Sequence, residues 1–495
     1  MLISSNTNGQ IFSAKIIFEQ VPDTVRLKNI ALLFRIVFNG SVSAIFEPKN
    51  ILGHYWQIGS KPYKKFEEWA KSLGDIYRVQ MGQQNWIILT SDNVVGELLQ
   101  KRGKKYSSRW PTYYFYQILE RNKGFIGSPY NDRYKMLTPI IHGILDQRNI
   151  KGKSDLFDTE FQILMQNLYQ ASMNTENGLY PKFHFQLTSL NIITLLCSGK
   201  RTKSIEDPFY KDFENYMENH LQLIKITNRL GDFFPFLRLF TSHELHKRVI
   251  RDRKRSETLY GKLIKEVKDD KEKKPCIIRD LLYKVDDGVL DELDIIHIIS
   301  NLFSAGTDTI SASLTWITAV LANNPQVQFK AHQELDQVIG QSRLPNIFDE
   351  QNIPYIRAII KESQRYCGPI YLGIPHYIEE DDEYNGYHIP ANSVIILNQY
   401  GIHMDEKRYE NPKEFKPERF LGITNSSAAL ANGNYKNRDH FGFGAGRRLC
   451  AGIHMAELAL LLGVSRLLWC FKIENASPLG EDGKPVPIDM EKIRF

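Results

Sequence analysis

The residues best suited to chemistry lie near the C-terminus, in the segment 441–452, FGFGAGRRLCAG. Glycines permit backbone turns that a side chain would forbid, and they let the backbone approach a flat ligand closely. Cys450 precedes an apolar, helix-forming run over 455–462. The positive end of a helix and neighbouring arginines both favour a thiolate over a thiol. The segment therefore predicts an anionic sulfur ligand beside a bulky cofactor.

A glycine-rich loop can also bind phosphate, but neither GxGxxG after a strand nor GxxxxGK[ST] is present. A buried, inert cysteine is the simpler alternative. The segment does match FxxGxRxCxG, through Phe443, Gly446, Arg448, Cys450 and Gly452. It resembles the haem-binding loop of the cytochrome P450 family, in its eukaryotic microsomal form. The resemblance implies haem b (iron protoporphyrin IX) as cofactor, with Cys450 as the axial iron ligand and Phe443, Gly446 and Arg448 beside the haem.

A second group of charged residues precedes this loop. Glu362 and Arg365 lie three residues apart on a helix predicted to begin near Pro354, so they share one face and can pair. Such a pair is usually a surface salt bridge of little energetic worth. This helix is largely apolar, however, and Arg419 follows in PERF, thirty-one residues before Cys450. The three resemble the family's buried Glu/Arg/Arg network, which implies a structural role around the haem loop.

A long helix is predicted over residues 291–323, because this stretch is rich in apolar residues and free of proline until Pro325. At ~1.5 Å per residue it would be roughly 50 Å long. In its middle lies AGTDT, where the acid Asp308 and the hydroxyl of Thr309 interrupt the apolar sequence. Taken alone, this motif could be a helix irregularity, since Ser and Thr hydroxyls often bond back to the preceding turn.

Together with Cys450, the same motif resembles the family's oxygen-activation motif. The resemblance implies that small residues leave room above the iron, that Thr309 holds dioxygen and a water, and that Asp308 links this water to solvent protons. Cleaving the O–O bond consumes protons as well as electrons, and an open, wet pocket would waste them as peroxide. The thiolate supplies electron density from the opposite face of the haem. Thr309 and Asp308 are therefore the predicted catalytic residues.

The haem propionates need cationic partners. Arg448 stands where the family contacts one propionate, and His376, in GIPH, stands where it commonly places a propionate-binding His or Arg; an ordinary structural histidine is the alternative. The family's early Trp-x-x-x-Arg pair is missing. Leu137 stands where the arginine is expected, and Arg133 or Lys135 could substitute for it electrostatically.

The substrate pocket is only partly predictable. The resemblance implies walls from the segment 107–128 and from Phe303, Ala305 and Ile370. That segment is aromatic, with YYFY at 113–116. Aromatic linings suit apolar or flat organic molecules, although such residues more often serve simple packing. The motifs leave the substrate open among steroid, fatty acid, polyketide and xenobiotic.

Composition and charge exclude other classes of protein. The chain has 495 residues, 42% of them hydrophobic, and its net charge of +6 is spread without a long basic tract, which argues against nucleic acid as the main partner. Its five cysteines lack zinc-type or disulfide-type spacing, so reduced thiols are expected. No flavin or nicotinamide fingerprint is present. We therefore expect electrons from NADPH-cytochrome P450 reductase, docked near Cys450 at Arg447.

The chain ends differ from the family. Residues 1–47 form an atypical N-terminal extension, and its most apolar stretch, 30–46, contains Arg35 and Asn39 and falls short of the ~20 apolar residues of a membrane span. It is a weak candidate for membrane association. Residues 48–495 are the expected cytochrome P450 domain, without the family's last C-terminal hairpin. The microsomal resemblance favours the cytosolic face of the endoplasmic reticulum, with the cytoplasm as the alternative.

The predicted fold is mainly α with a small β-rich lobe. Haem is expected between the long central helix and the segment 441–452, called the Cys loop. A helix is expected over 61–73, followed by a hairpin of 76–79 and 86–90. The predicted function is a haem-dependent monooxygenase that inserts one atom of O2 into an apolar organic substrate. Two alternatives remain. One is a haem-thiolate isomerase or dehydratase without O2 chemistry, against which the pair Asp308 and Thr309 argues; the other is a degenerate, non-catalytic haem-binding protein.

Overall fold

The computed structural model describes residues 53–174, 178–224, 230–477 and 485–490. The N-terminal extension 1–47, its apolar stretch 30–46 and the last residues of the chain lie outside these ranges. The described residues are mainly helical, with two small β-sheets, which confirms the predicted fold class.

Helices of very different length make up most of the chain. The α-helices of the described residues are α1 Pro62–Leu73, α2 Asp92–Val95, α3 Gly103–Tyr106, α4 Asp132–Leu145, α5 Gln147–Lys151, α6 Ser154–Met173, α7 Lys182–Ser198, α8 Pro208–Ile224, α9 Leu230–Phe233, α10 Arg238–Asp269, α11 Ile277–Asp286, α12 Glu292–Asn323, α13 Pro325–Val338, α14 Pro354–Cys367, α15 Gln399–His403, α16 Ser427–Asn432 and α17 Ile453–Cys470. Shorter turns of π-helix lie at Gly96–Lys101 and Tyr113–Leu119, and 3₁₀ turns at Pro235–Leu237, Ile347–Asn352, Pro417–Phe420, Tyr435–Asn437 and Gly446–Arg448.

The β-rich lobe contains two sheets. Their strands are β1 Ile76–Met81, β2 Gln84–Leu89, β3 Ser108–Arg109, β4 His376–Ile378, β5 Asp382–Tyr384, β6 Tyr387–Ile389 and β7 Ser393–Leu397. The larger sheet has the order β1-β2-β7-β4-β3, and the smaller pairs β5 with β6. β1 and β2 form the predicted antiparallel hairpin, whereas β2 and β7 are parallel. The pairing of β3 with β4 joins two segments more than 260 residues apart and places Arg109 opposite His376.

Helix α1 shows how local sequence determines an element of the lobe. Pro62 occupies the first turn, where its missing N–H costs nothing. Phe66 and Trp69 lie on one face and are buried. The helix stops at Gly74, whose φ of +88° suits glycine and whose N–H donates to the carbonyl of Ala70. The predicted helix over 61–73 is confirmed.

The long helix predicted over 291–323 is α12, Glu292–Asn323. It starts with a capping box, in which the Asp291 carboxylate accepts from the N–H of Asp294 at 2.7 Å and the Asp294 carboxylate accepts from the N–H of Asp291 at 2.9 Å. Helices α7 and α17 pack against it. A Cβ atom on Gly306 would lie 2.6 Å from Ile193 of α7 and 3.1 Å from Met455 of α17. Gly306 therefore permits a close three-helix contact at the middle of the molecule.

Helix α17, which follows Cys450, is the only helix of the described ranges that is long and apolar enough to cross a membrane by length and composition. Most of its residues are buried inside the protein. A helix that is apolar on nearly all sides fits the core of a large protein equally well.

Candidate active site

Only glycine fits position 446 of the Cys loop. Gly446 has φ +64°, and a Cβ atom there would lie 1.9 Å from the carbonyl oxygen of Leu99 in the π-helical turn. Any side chain would therefore push the loop away from its support. Farther along, the N–H of Cys450 donates to the carbonyl of Phe443 at 2.9 Å, which closes the loop before α17 begins.

Cys450 lies at the end of the Cys loop, three residues before α17 begins. Its side chain is accessible, although it is the residue that joins the Cys loop to the buried helix α17. The protein surrounds it closely enough that burial raises the pKa of the thiol, against a smaller lowering by the N–H of Gly452. A cation bound to the sulfur would reverse that balance, because it stabilises the thiolate directly.

The central helix is also open at the predicted oxygen-activation motif. Ala305 is exposed within α12, although most residues of this helix are buried. Thr309 lies one turn later on the same face and is partly exposed. Ala305 and Thr309 define the open face of α12. The hydroxyl of Thr309 donates to the carbonyl of Ala305 at 2.6 Å. The bond back to the preceding turn is thus present, but the oxygen keeps lone pairs free to accept further hydrogen bonds.

Phe303 does not line this opening, which corrects the prediction. It is 0% exposed and packs against the rings of Phe213 and Tyr260, with centroids 6.1 and 5.2 Å away. Residues two apart on a helix point about 200° apart around its axis. Phe303 and Ala305 therefore cannot line one cavity, and Phe303 belongs to the helical core.

Asp308 lies between α12 and α7. Its Oδ1 accepts from the amide of Gln186 at 3.4 Å, and the Oε1 of Gln186 accepts from the hydroxyl of Tyr210 at 2.7 Å. Its Oδ2 is buried and has no hydrogen-bond partner among the described residues. Burial raises the pKa of Asp308 to about 6, with Gln186 and Lys182 acting in the opposite direction. A carboxyl group that titrates this close to neutrality can both donate and accept protons.

Three basic side chains converge where β3 meets β4. Arg109 lies opposite His376 in the strand register, and its Nη1 donates to the carbonyls of Ile374 and Pro375 at 2.5 and 3.1 Å. The Nδ1 of His376 donates to the carbonyl of Tyr106 at 2.8 Å. The pKa of His376 lies well below its usual value because of burial and then because of Arg109, with Arg448 contributing further.

Arg448 completes this basic cluster, defined as Arg109, His376 and Arg448. Its Nε and Nη2 donate to the carbonyls of Ser107 and Ser128 at 2.7 and 2.5 Å, and its guanidinium lies 3.5 Å from the centre of the Tyr134 ring. Burial lowers the pKa of Arg448 to about 10.

The positive charge of the basic cluster has no anionic partner within the part of the chain that the structure describes. Among the described residues, no carboxylate forms an ion pair with Arg109 or Arg448 within 4.0 Å, and the Nε of Arg109 is buried without a hydrogen-bond partner. Burial and the charge of Arg448 hold the pKa of Arg109 well below its usual value. Buried positive charge without a partner is costly. A bound dianion such as the two haem propionates would compensate it, so these residues fit the predicted cofactor.

The residues proposed to replace the missing Trp-x-x-x-Arg pair are engaged elsewhere. Arg133 donates to the carboxylate of Asp294 at 2.6 Å, and Lys135 pairs with Asp132 at 3.0 Å on the surface. Neither joins the basic cluster. Leu137 is fully buried in the core. Arg109 is the cation that sequence reasoning missed: it is one arginine in an aromatic segment, and only the strand register brings it to His376.

The Glu/Arg/Arg group forms one buried network. Both side chains of the pair Glu362 and Arg365 are 0% exposed, and they form two hydrogen bonds at 2.6 and 2.7 Å. The Nε of Arg419 donates to the same carboxylate at 3.1 Å. Arg365 also donates to the carbonyls of His403 and Pro412 at 2.9 and 2.8 Å. The network therefore ties α14 to the segment that runs from α15 to Arg419.

The aromatic segment 107–128 is mostly packing. Trp110 stacks on Phe233 with centroids 5.5 Å apart and is nearly buried. Asn301, one turn before Ala305 on α12, accepts from the backbone N–H groups of residues 125 and 126 at 3.0 and 3.1 Å. Asn301 was not predicted as a functional residue, and it fastens this segment over the open face of α12. Ile370 is 37% exposed.

Cys450 lines a surface cavity of about 590 Å³. Arg447, Lys135 and Tyr130 line the same cavity, and Arg447 is exposed. The predicted docking residue and the sulfur therefore share one accessible surface.

Comparison with known proteins agrees with this geometry. The sequence profile described as Cytochrome P450 matches residues 44–488. The cytochrome P450 monooxygenase virE of Hypocrea virens is 31% identical over 441 residues, which cover 87% of this chain and 78% of that protein. The cytochrome P450 monooxygenase macC of Penicillium terrestre is 30% identical over 465 residues, 90% of this chain and 84% of that protein. The chain belongs to the cytochrome P450 family of haem-dependent monooxygenases.

Proposed function

We propose that the protein inserts one atom of O2 into an apolar organic substrate, with electrons that NADPH-cytochrome P450 reductase delivers from NADPH. The observation that carries this proposal is the pair Thr309 and Asp308 on α12. Thr309 stays accessible beside the exposed Ala305, and Asp308 keeps one buried oxygen without a partner among the described residues. The pair argues against an isomerase or dehydratase that uses no O2, because such an enzyme has no O–O bond whose reductive cleavage consumes delivered protons.

The cofactor is haem b, which supplies the binding and reductive activation of dioxygen when it is bound. Cys450 would hold the haem iron as its thiolate, and Phe443 and Gly446 shape the loop that carries this cysteine. Arg109, His376 and Arg448 bind the propionates. Since Nδ1 of His376 already donates to Tyr106, its Nε2 carries a proton only in the imidazolium form. A propionate beside His376 favours that form because it opposes the two arginines.

The chain itself manages the protons. Thr309 accepts a hydrogen bond from a water above the open face of α12, and Asp308 exchanges protons with that water. Gln186 holds the Oδ1 of Asp308 in place, and Tyr210 in turn holds Gln186. Because the pKa of Asp308 is about 6, both of its protonation states are populated near neutral pH.

The substrate binds between α12 and the segment 107–128. Ala305 offers a small apolar surface, and Ile370 and Ile374 keep 37% and 40% of their surface exposed. This composition supports an apolar carbon skeleton as the group presented for oxidation.

The reductase docks at the cavity that Cys450, Arg447 and Lys135 share. Arg447 and Lys135 can attract acidic groups of the reductase, and the cavity offers a short path to the sulfur. High salt should therefore slow reduction by the reductase more than it affects chemical reduction.

The protein associates with the cytosolic face of the endoplasmic reticulum. Trp56 and Phe236 are 63% and 50% exposed, and both adjoin one aromatic group: Trp56 contacts Tyr55 at 5.2 Å, Tyr55 contacts Phe233 at 5.8 Å, and Phe236 contacts Phe234 at 6.1 Å. Exposed aromatic side chains that share an apolar base are suited to a membrane interface. Flotation with phosphatidylcholine vesicles should fall when both Trp56 and Phe236 are changed to serine.

The first experiment is the optical difference spectrum of the reduced protein with carbon monoxide. We expect a strongly red-shifted Soret band in the wild type and in Cys470→Ala, which removes a half-buried thiol at the other end of α17. The band should be absent in Cys450→Ala. A red-shifted band that survives in Cys450→Ala would exclude Cys450 as the ligand.

A second experiment separates the monooxygenase from its alternatives. With reductase and NADPH supplied, a monooxygenase consumes O2 and incorporates ¹⁸O from ¹⁸O2 into the product of a screened apolar substrate. A product formed without O2 would support the isomerase or dehydratase. Thiolate-bound haem that the reductase cannot reduce under any condition would support the non-catalytic protein.

A further inference from the structure

Two buried histidines contact the start of the Cys loop. Nε2 of His403, the last residue of α15, accepts from the backbone N–H of Phe441 at 2.8 Å. Nδ1 of His440 accepts from the backbone N–H of Gly442 at 3.1 Å. Both histidines are almost fully buried, with exposed fractions of 4% and 1%. Two successive amide groups of the loop are thus each satisfied by an imidazole nitrogen.

These bonds require both imidazoles to be neutral. An imidazolium has two N–H donors and no acceptor, so protonation would turn each bond into two opposed donors. For His440 the neighbours also determine the tautomer. Ser427 donates its hydroxyl proton to Asp439 at 2.5 Å and accepts from Lys361 at 3.1 Å, so the Nε2 of His440, 3.3 Å from the Ser427 oxygen, must be the donor. The proton lies on Nε2, and Nδ1 is left free to accept.

His403 connects the loop to the Glu/Arg/Arg network. Arg365 donates to the carbonyl of His403 at 2.9 Å, while the ring of the same histidine accepts from Phe441. The buried pair Glu362 and Arg365 therefore reaches the Cys loop through a single residue.

We propose that His403 and His440 are positioning residues that hold the Cys loop in the geometry for thiolate ligation by acting as neutral hydrogen-bond acceptors. The proposal rests on Cys450 as the haem ligand and on no other part of the proposed function. The two histidines act through the backbone N–H groups of residues 441 and 442.

The surrounding charges favour the neutral form of both rings. His403 is faced by His440, Arg365, Arg408 and Arg438, and burial followed by these groups holds its pKa well below its usual value. The pKa of His440 is lowered to about 4 by burial, against Asp439 and together with Lys361 and Arg438.

The linkage to pH has a definite sign. An unfolded histidine titrates near ~6.5. Since the folded protein binds fewer protons at these two sites, acid destabilises the loop as the pH falls from there toward the folded pKa of His440, about 4.

The test uses acceptors that do not titrate. A glutamine at 403 places its Oε1 near the position of Nε2, and an asparagine at 440 places its Oδ1 near that of Nδ1. We expect the double variant His403→Gln/His440→Asn to keep the red-shifted Soret band of the reduced carbon monoxide complex at neutral pH. The midpoint for its loss on acidification should lie roughly half a pH unit or more below that of wild type.

Removing the acceptors should have the opposite effect. In His403→Phe and His440→Phe the amide groups of residues 441 and 442 lose their partners, and we expect a several-fold larger fraction of haem without the shifted band at pH 7. His220→Gln is the matched control, because His220 is buried in α8 away from the loop and its pKa is likewise lowered to about 4 by burial.

The outcomes are distinct. An acid midpoint in the double variant equal to that of wild type would overturn the proposal. An equal shift in His220→Gln would also overturn it, since the effect would then reflect general stability. A wild-type protein without the shifted band would instead refute Cys450 as the ligand, whatever the histidine variants do.

Discussion

The start of the Cys loop and the open face of α12 differ in whether their buried polar groups have hydrogen-bond partners. At the start of the loop, the N–H groups of Phe441 and Gly442 are bonded to imidazoles, and Arg438 donates to the carbonyls of His440 and Gly444 at 3.0 and 2.5 Å. On α12, the buried Oδ2 of Asp308 has no partner among the described residues. A sulfur ligand must stay in place, whereas protons must move, and the two regions are built accordingly.

The difference has an energetic cost. An unsatisfied buried polar group costs about 1–3 kcal/mol, while a paired one contributes about 0.5–1.5 kcal/mol. The two bonded amide groups at the start of the loop therefore contribute to stability, whereas the unpartnered carboxyl oxygen of Asp308 reduces it. Such a loss at a helix centre is expected where water or substrate atoms provide the missing partners during function.

The largest effect is expected from breaking the support of the loop. Arg365→Leu leaves Glu362 buried without its bidentate partner and removes three hydrogen bonds to backbone carbonyls. We therefore expect the free energy of unfolding to fall by about 3–5 kcal/mol. Haem content after purification and thermal denaturation would measure this loss.

An exposed ion pair provides the control for Arg365→Leu. Lys330 pairs with Glu418 at 2.6 Å, but the Lys330 side chain is 53% exposed. Lys330→Ala should therefore change stability by no more than about 1 kcal/mol. Similar losses of unfolding free energy in both variants would mean that the Glu/Arg/Arg network contributes no more to stability than an exposed ion pair.

Next in size is the effect of Thr309→Ala on the open face. The protein should keep its haem and its thiolate ligation, because the hydroxyl contacts only the carbonyl of Ala305 among the described residues. Product formed per NADPH should fall by up to ~10²-fold, with the electrons recovered as hydrogen peroxide. Thr315→Ala is the control: Thr315 donates to the carbonyl of Ser311 at 2.8 Å in the same helix but is buried. Coupling in Thr309→Ala equal to that of Thr315→Ala would remove Thr309 from proton delivery.

The two regions also differ in how far the sequence predicts them. Features close in sequence could be predicted from local patterns: the pair Glu362 and Arg365 from its spacing, and the long helix α12 from its apolar residues and Pro325. Arg109 and His376 meet through a strand register across more than 260 residues, and Asn301 reaches residues 125 and 126. No local periodicity encodes such contacts. Within the segment 107–128, which the family resemblance assigned to the pocket wall, Trp110 and Tyr116 are buried. An aromatic side chain does not by itself indicate whether it lines a pocket or packs in the core.

A smaller effect is expected from Asp308→Asn, and it depends on pH. The folded-state pKa of Asp308 is raised to about 6, so its contribution to stability is present at low pH and is lost as the pH rises through 6. Urea denaturation at pH 5 and pH 8 should show that Asp308→Asn stabilises the protein relative to wild type more at pH 8 than at pH 5. In wild type, coupling, the amount of product formed per NADPH, should show a step near pH 6. That step should be missing in Asp308→Asn. The same step in both proteins would assign it to another group.

The smallest effect should come from Gln186→Leu, which tests whether the hydrogen bond from Gln186 lowers the pKa of Asp308. The Gln186 amide donates to Asp308 at 3.4 Å, a long and therefore weak bond that favours the carboxylate. Its removal should raise the pKa of Asp308 and move the step in coupling upward by less than about one pH unit. Tyr210→Phe keeps that amide and loses only the support of Gln186, so its shift should be smaller still. A step that moves to lower pH in Gln186→Leu would mean that Gln186 does not stabilise the charged form of Asp308. The pH dependence of coupling would then be determined by groups other than Asp308 and its neighbours.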